Sequence, residues 1–179
     1  RDSLDINAFT RIHLISDTST KSWIDHRSGA NKRPRAYKLA YDLEGPGTPS
    51  SNKYNTIHTK IDFDVCKKEI TLTWSRYVTS SEYIDFNDAI KMETWNIYRS
   101  KNGSQYNQIT SISNDSTFTD TNVDYDHIYK YYVEGVRTAD TSVKSKSNRV
   151  AIDTEMPDSP GYINFESLST EDGKINMAF

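Results

Sequence analysis

Apolar and polar side chains alternate along KKEITLTWS, residues 67–75. Ile70, Leu72 and Trp74 fall on one side of an extended chain, and Thr71 and Thr73 on the other. Strict period two marks a strand with one covered face and one wet face. GKINMAF, residues 173–179, alternates in the same way, with Ile175, Met177 and Phe179 set against Asn176 and Ala178. Between them the pattern predicts strands near 69–75, 93–100, 106–112, 117–120, 128–137 and 146–152. Asn102-Gly103 is the dipeptide that favours a tight hairpin turn. The longest stretch without strand alternation is 80–95. Many short strands with turns about every 8–12 residues predict an all-β sandwich.

The pattern also repeats. RDSLDINAFTRIHLISD, from residue 1, matches RSKNGSQYNQITSISND, from residue 99. Trp23 and Asp25 match Phe118 and Asp120; Tyr37, Lys38 and Leu39 match Tyr131, Tyr132 and Val133; Asn52 matches Asn148. The offset stays between 94 and 98 residues at all four landmarks. A steady offset of this size signals tandem units. The expected order is the later part of one unit (1–62), a complete unit (63–154) and the opening of a third (155–179). MPDSP, residues 156–160, reads as a stiff linker, because two prolines favour extended backbone. In this alignment Arg1 falls in mid-strand and Phe179 falls at Trp74. Residues 1–62 and 155–179 are therefore expected to pack against protein outside this sequence, since a pair of strands alone is marginal in water.

Composition agrees with thin modules. Hydrophobic residues make up 35% of the 179 and mean hydropathy is −0.78, lean for one thick globule. Twelve tyrosines and abundant threonine suit pleated surfaces. A net charge of −3 gives no footprint for nucleic acid, and KSKSNR near residue 145 reads as a solvated strand edge. No apolar run reaches the length of a membrane span, and no signal peptide is visible. A single cysteine, Cys66, excludes a disulfide within the segment.

The residues that carry this pattern resemble fibronectin type III modules. Trp74 sits where strand B has its tryptophan, WNIYR (Trp95–Arg99) resembles strand C, and FTDT precedes a tyrosine-rich strand F. Val123 and Tyr129, six apart, resemble the tyrosine corner, which implies a buried ring with its hydroxyl on an upstream backbone group. The first unit departs here, with Arg35 in place of Tyr129, although Tyr37 and Leu39 keep the strand. The resemblance implies tandem fibronectin type III-like (immunoglobulin-like) sandwiches, the first and last incomplete. Trp74, Ile97, Val123, Tyr129, Tyr131 and Val133 are the expected core.

A narrower resemblance covers residues 37–78, YKLAYDLEGPGTPSSNKYNTIHTKIDFDVCKKEITLTWSRYV. This stretch is similar to modules that precede the C-terminal domain of Bacteroidota gliding-motility-associated surface proteins. It has the TIH strand, an Asp-x-Cys before ITLTW, and a strand C of the same type. PGYINFESLSTEDGKINMAF, from Pro160, resembles the next module; EGPGT stands where the family has a cysteine. The resemblance implies export by a type IX secretion system and display on the cell surface, outside the outer membrane, in an adhesin or a large filament. Implied partners are neighbouring modules, a secretion translocon or other surface proteins. The expected function is a non-catalytic stalk or spacer. The alternative is a ligand- or carbohydrate-binding accessory module of a secreted enzyme, which an exposed coplanar pair of aromatics would favour.

Candidate chemistry is sparse, and the expectation is no enzyme, no cofactor and no metal. His13, His26, His58 and His127 lack any ligand spacing, and no GxSxG is present. His127 beside Asp126 reads as turn chemistry. Cys66 reads as a small packing residue or half of a bridge to a segment elsewhere. Asp115, Asp120, Asp124 and Asp126 cluster around one turn, a composition calcium can use, but their spacing is not DxDxDG and Asp forms turns unaided. Tyr77, Tyr83, Phe86 and Trp95 could make a sugar-stacking platform or anchor loops. Tyr98 alternates away from Ile97 and is a candidate exposed aromatic.

Overall fold

The computed structural model describes residues 10–17, 19–20, 22–26, 29, 31–40, 51, 53–77, 79–80, 92–156 and 167–178. Every regular element among them is a β-strand. One three-stranded antiparallel sheet has the order β3 (Thr59–Asp64), β4 (Glu69–Trp74), β8 (Thr117–Asp120). A second has the order β10 (Asp140–Lys146), β9 (Ile128–Arg137), β6 (Thr94–Lys101), β7 (Asn107–Ser113), with β11 (Val150–Asp153) also on β9. The apolar faces of the two sheets meet in one core. Ile70, Leu72 and Trp74 come from one sheet; Trp95, Ile97, Tyr129, Tyr131 and Val133 come from the other; Val123 closes the end. All six residues named above as the expected core are buried.

Register accounts for local departures from simple alternation. Ile109 and Ile112 both pack against the core although they are three apart. A bulge makes this possible: Ile97 faces Thr110 while Tyr98 faces Gln108, so Ile109 is the extra residue. On β9, Gly135 lies directly opposite Trp95, and a Cβ there would sit 2.8 Å from the indole and 3.0 Å from Met92. Gly135→Val is expected to cost about 1–3 kcal/mol through overpacking. A urea midpoint equal to that of the unmodified protein would show that the indole can move aside.

The expected strand at 146–152 is in fact two strands. β10 pairs with the later half of β9 and β11 with its first half. Between them Asn148 turns away to bond both backbone groups of Thr59, accepting from N–H at 2.7 Å and donating to C=O at 3.1 Å. The break thus frees an amide to join β3 to the opposite sheet. The boundary expected at 62/63 lies inside β3, whose Thr59, Ile61 and Phe63 face inward from register with β4.

The stretches aligned in sequence share a side-chain bond. Tyr131 donates its hydroxyl to Asp120 at 2.8 Å, and the aligned Tyr37 donates to Asp25 at 3.1 Å. Tyr37 of β1 (Ala36–Tyr37) faces Tyr54 of β2 (Lys53–Asn55), as the aligned Tyr131 faces Val150. Covering differs, however: Leu39 is 69% exposed where the aligned Val133 is 0%. Toward the other end β12 (Ser167–Glu171) and β13 (Lys174–Ala178) form a hairpin turning at Asp172-Gly173, both at positive φ. Ile175 on β13 is 62% exposed. Phe179, Tyr83, Phe86 and residues 157–160 of the expected linker lie outside the described residues, as does the side chain of Met177.

Candidate functional sites

Three places gather polar side chains: the turn before β9, the joint before β3, and the outer face of the larger sheet. At the turn the four aspartates have separate uses. Asp115 accepts from the N–H groups of Ser116 and Thr117. Asp120 is buried; one oxygen accepts from the Asn122 N–H, the other from Arg99 and Tyr131, both at 2.8 Å. Asp124 faces Lys101 at 2.7 Å and Lys68 at 3.4 Å, and the Lys101 hydrogen bond is the main cause of its lowered pKa. Asp126, at φ 59°, accepts from the Met156 N–H. Among the described residues no group of three or more His, Cys, Asp or Glu is placed to hold a metal.

Tyr129 has the corner geometry that its spacing implied. Its ring is buried and its hydroxyl accepts from the Asp124 N–H at 2.9 Å. Tyr131 is pushed well above its ordinary 10.0, by burial first and by the charge of Asp120 second. An unfolded chain ionises this group near pH 10, while the folded chain keeps it protonated. Its contribution is therefore full below pH 10 and is lost as the pH rises further. Urea midpoints measured from about pH 8 to about pH 11 should fall less steeply for Tyr131→Phe than for the unmodified chain. Parallel slopes would mean that Tyr131 ionises freely in the folded state.

The histidines are scattered. His13 stacks on Trp23 at 4.9 Å; His26 is exposed; His58 is buried with Nε2 3.2 Å from the Asn31 carbonyl; His127 Nδ1 meets the Asn102 amide at 3.1 Å. Cys66 is an exposed thiol in the turn after β3, which corrects its reading as a packing residue. The position follows from Asp64, whose side chain accepts from the N–H groups of Cys66 and Lys67 and bends the chain outward.

At the joint, three residues separate β2 from β3. Thr56 bonds Arg35 twice, through N–H to C=O at 2.7 Å and through Oγ1 from N–H at 2.8 Å. Ile57 is buried in the core, and His58 is tied to Ser75 twice, its N–H donating to the Ser75 hydroxyl and its carbonyl accepting from the Ser75 N–H. β2 also pairs with β5 (Thr79–Ser80), so the sheet β1-β2-β5 includes strands from both sides of the joint. Tyr54 and Tyr77 meet across it at 6.4 Å.

On the outer face of the larger sheet Tyr98 is half-buried. It stacks on the directly opposite Tyr132 at 4.6 Å and 7°, with Tyr106 edge-on at 5.1 Å. Two cations of KSKSNR lie over these rings: Lys146 is 5.5 Å from Tyr132 and Arg149 is 5.3 Å from Tyr106. Glu134 is buried between Lys144 at 3.6 Å and Lys146 at 3.8 Å. Of the suggested platform, Trp95 is in the core and Tyr77 is at the joint. Tyr106 and Tyr132 were not singled out from sequence; the signal was the cross-strand register that sets Tyr132 beside Tyr98.

Compared with protein-family models and with curated proteins, the chain matches none.

Proposed function

We propose that this chain is a non-catalytic stalk or spacer segment of a larger secreted cell-surface protein of the type IX secreted kind. The observation that carries the reading is how the chain passes through the sandwich. β3 starts beside Asn148 and ends just before Val65, whose carbonyl accepts from Tyr125. β11 starts just after Asn148 and ends just before Thr154, whose hydroxyl donates to the carbonyls of Asp124 and His127 in the same turn as Tyr125. The two strands run side by side in one direction, so the chain enters at one end and leaves at the other. Six residues of strand span about 20 Å. A short, tied joint at the leading end keeps successive units in line. Export and surface display are supported by the resemblance of residues 37–78 and 160–179.

Tension applied through Thr59 and Thr154 shears β3 against β11, and the Asn148 amide is the polar link between their leading ends. Asn148→Ala should lower the unfolding force of the 179-residue chain held by its two ends. It should also cost about 1–3 kcal/mol, since two backbone groups of Thr59 lose their partner. A variant that unfolds at the same force as the unmodified chain would remove the mechanical reading. An antibody to residues 59–154 should label intact source cells; labelling only after permeabilisation would remove the surface reading.

A further inference from the structure

The outer sheet face holds a depression of about 310 Å³ that the spacer reading does not use. Its floor crosses three adjacent strands: Ser100 on β6 faces Lys130 on β9, which faces Ala151 on β11. Tyr106 and Arg149 form a wall, and Ser104 and Gly103 of the hairpin turn form another. The hollow exists because Ser100, Gly103, Ser104 and Ala151 are short while Tyr106, Lys130 and Arg149 beside them are long. Its size is at the lower end of small-ligand sites, enough for one or two sugar rings.

The charge of the hollow is one-sided. Lys130 and Arg149 both line it, and neither forms an ion pair among the described residues. The other cations of this face, Lys144 and Lys146, are engaged with Glu134. The Arg149 guanidinium is held over the Tyr106 ring, which orders a long side chain before any ligand arrives. A planar guanidinium beside one ammonium matches a carboxylate, which takes two parallel hydrogen bonds from the fork. The serine hydroxyls and the tyrosine edge suit the hydroxyls and C–H faces of a sugar. The Tyr98–Tyr132 pair is stacked face to face, so it is no coplanar platform for a neutral glycan.

We propose that this hollow is a binding site for a uronic-acid residue of an acidic polysaccharide, with Arg149 and Lys130 on the carboxylate and Tyr106 against the ring. The stalk would then grip acidic glycan along its side while holding a distal domain outward.

The test is an amide NMR titration of the 179-residue chain with hexagalacturonate, with cellohexaose and sodium phosphate as separate arms. The expected result is shifts centred on residues 100–106, 130 and 149–151 with hexagalacturonate. The affinity should fall about tenfold or more in Arg149→Gln and in Lys130→Gln, as for loss of a charge-assisted bond, and weaken with added salt. Unchanged melting temperatures would show that both variants fold; if one does not, the other carries the test. The proposal is overturned if cellohexaose binds as well, if phosphate binds as tightly at the same residues, if the shifts scatter over all the lysines, or if both variants bind like the unmodified chain.

Discussion

Trp74→Ala is expected to lower stability by about 3–5 kcal/mol, the usual cost of deleting a large buried aromatic. Trp74 is 5% exposed at the end of β4 and meets the Trp95 ring at 5.8 Å and 57°. Such a pair adds roughly 0.5–1.5 kcal/mol beyond its buried area. One term opposes this. The indole Nε1 is buried with no acceptor among the described residues, a defect worth about 1–3 kcal/mol that the alanine also removes. Cavity and lost contact outweigh it, because the facing side chain is another tryptophan held by β6 and cannot fill the space. In a sandwich of this size the melting point should fall by at least ~12 °C. Trp74→Phe separates the two terms: it removes the orphan donor and keeps most of the volume, so its cost should stay below about 1.5 kcal/mol. Thermal melts of both variants decide the matter. If Trp74→Ala melts within ~4 °C of the unmodified protein, the indole is not a core residue.

Asp120→Ala should be nearly as severe, at about 3–5 kcal/mol, by a different route. The Asp120 side chain is 5% exposed and that of Arg99 is 21%, and the Tyr131 hydroxyl beside them is buried. Removing the carboxylate leaves a guanidinium half in the protein, a phenol without an acceptor and the Asn122 N–H uncapped. Arg99 keeps one bond, to the Asn122 carbonyl at 2.6 Å, which limits the loss. Asp120→Asn retains an acceptor and should cost clearly less. Urea titrations with unchanged slope would report the difference. A cost under about 1 kcal/mol for the alanine variant would show that the cluster is spectator packing.

Much of this core was legible because strand alternation is a local signal. EITLTW alternates, and Ile70, Leu72 and Trp74 are buried. Val123 and Tyr129 were legible through their spacing, and Asn102-Gly103 through its turn chemistry, with both residues at positive φ. What escaped depends on partners distant in sequence. Nothing local says that Asn148 leaves the strand, because its target Thr59 is 89 residues away. Nothing local says that Ile109 joins Ile112, since the bulge is a property of pairing with β6. The same holds for the hollow on the outer face, whose floor comes from three strands. Cys66, just before a strand, was read as a small packing residue or half of a bridge to a segment elsewhere, while its exposure follows from the Asp64 turn.

The sheet shared across the joint has a thermodynamic consequence. Ile57 is the last residue but one before β3, yet it is buried in the sandwich that follows, and β2 donates a strand edge to β5. Folding free energy is then held partly across the joint rather than within the sandwich alone. In a tandem array built with this joint, a unit with folded neighbours is more stable than the same unit alone, as in a one-dimensional chain with nearest-neighbour coupling. Loss of structure would begin at the array's ends or at a damaged unit and spread outward from there. Isolated interior openings would be rare, and with them the exposed strand edges at which neighbouring chains aggregate.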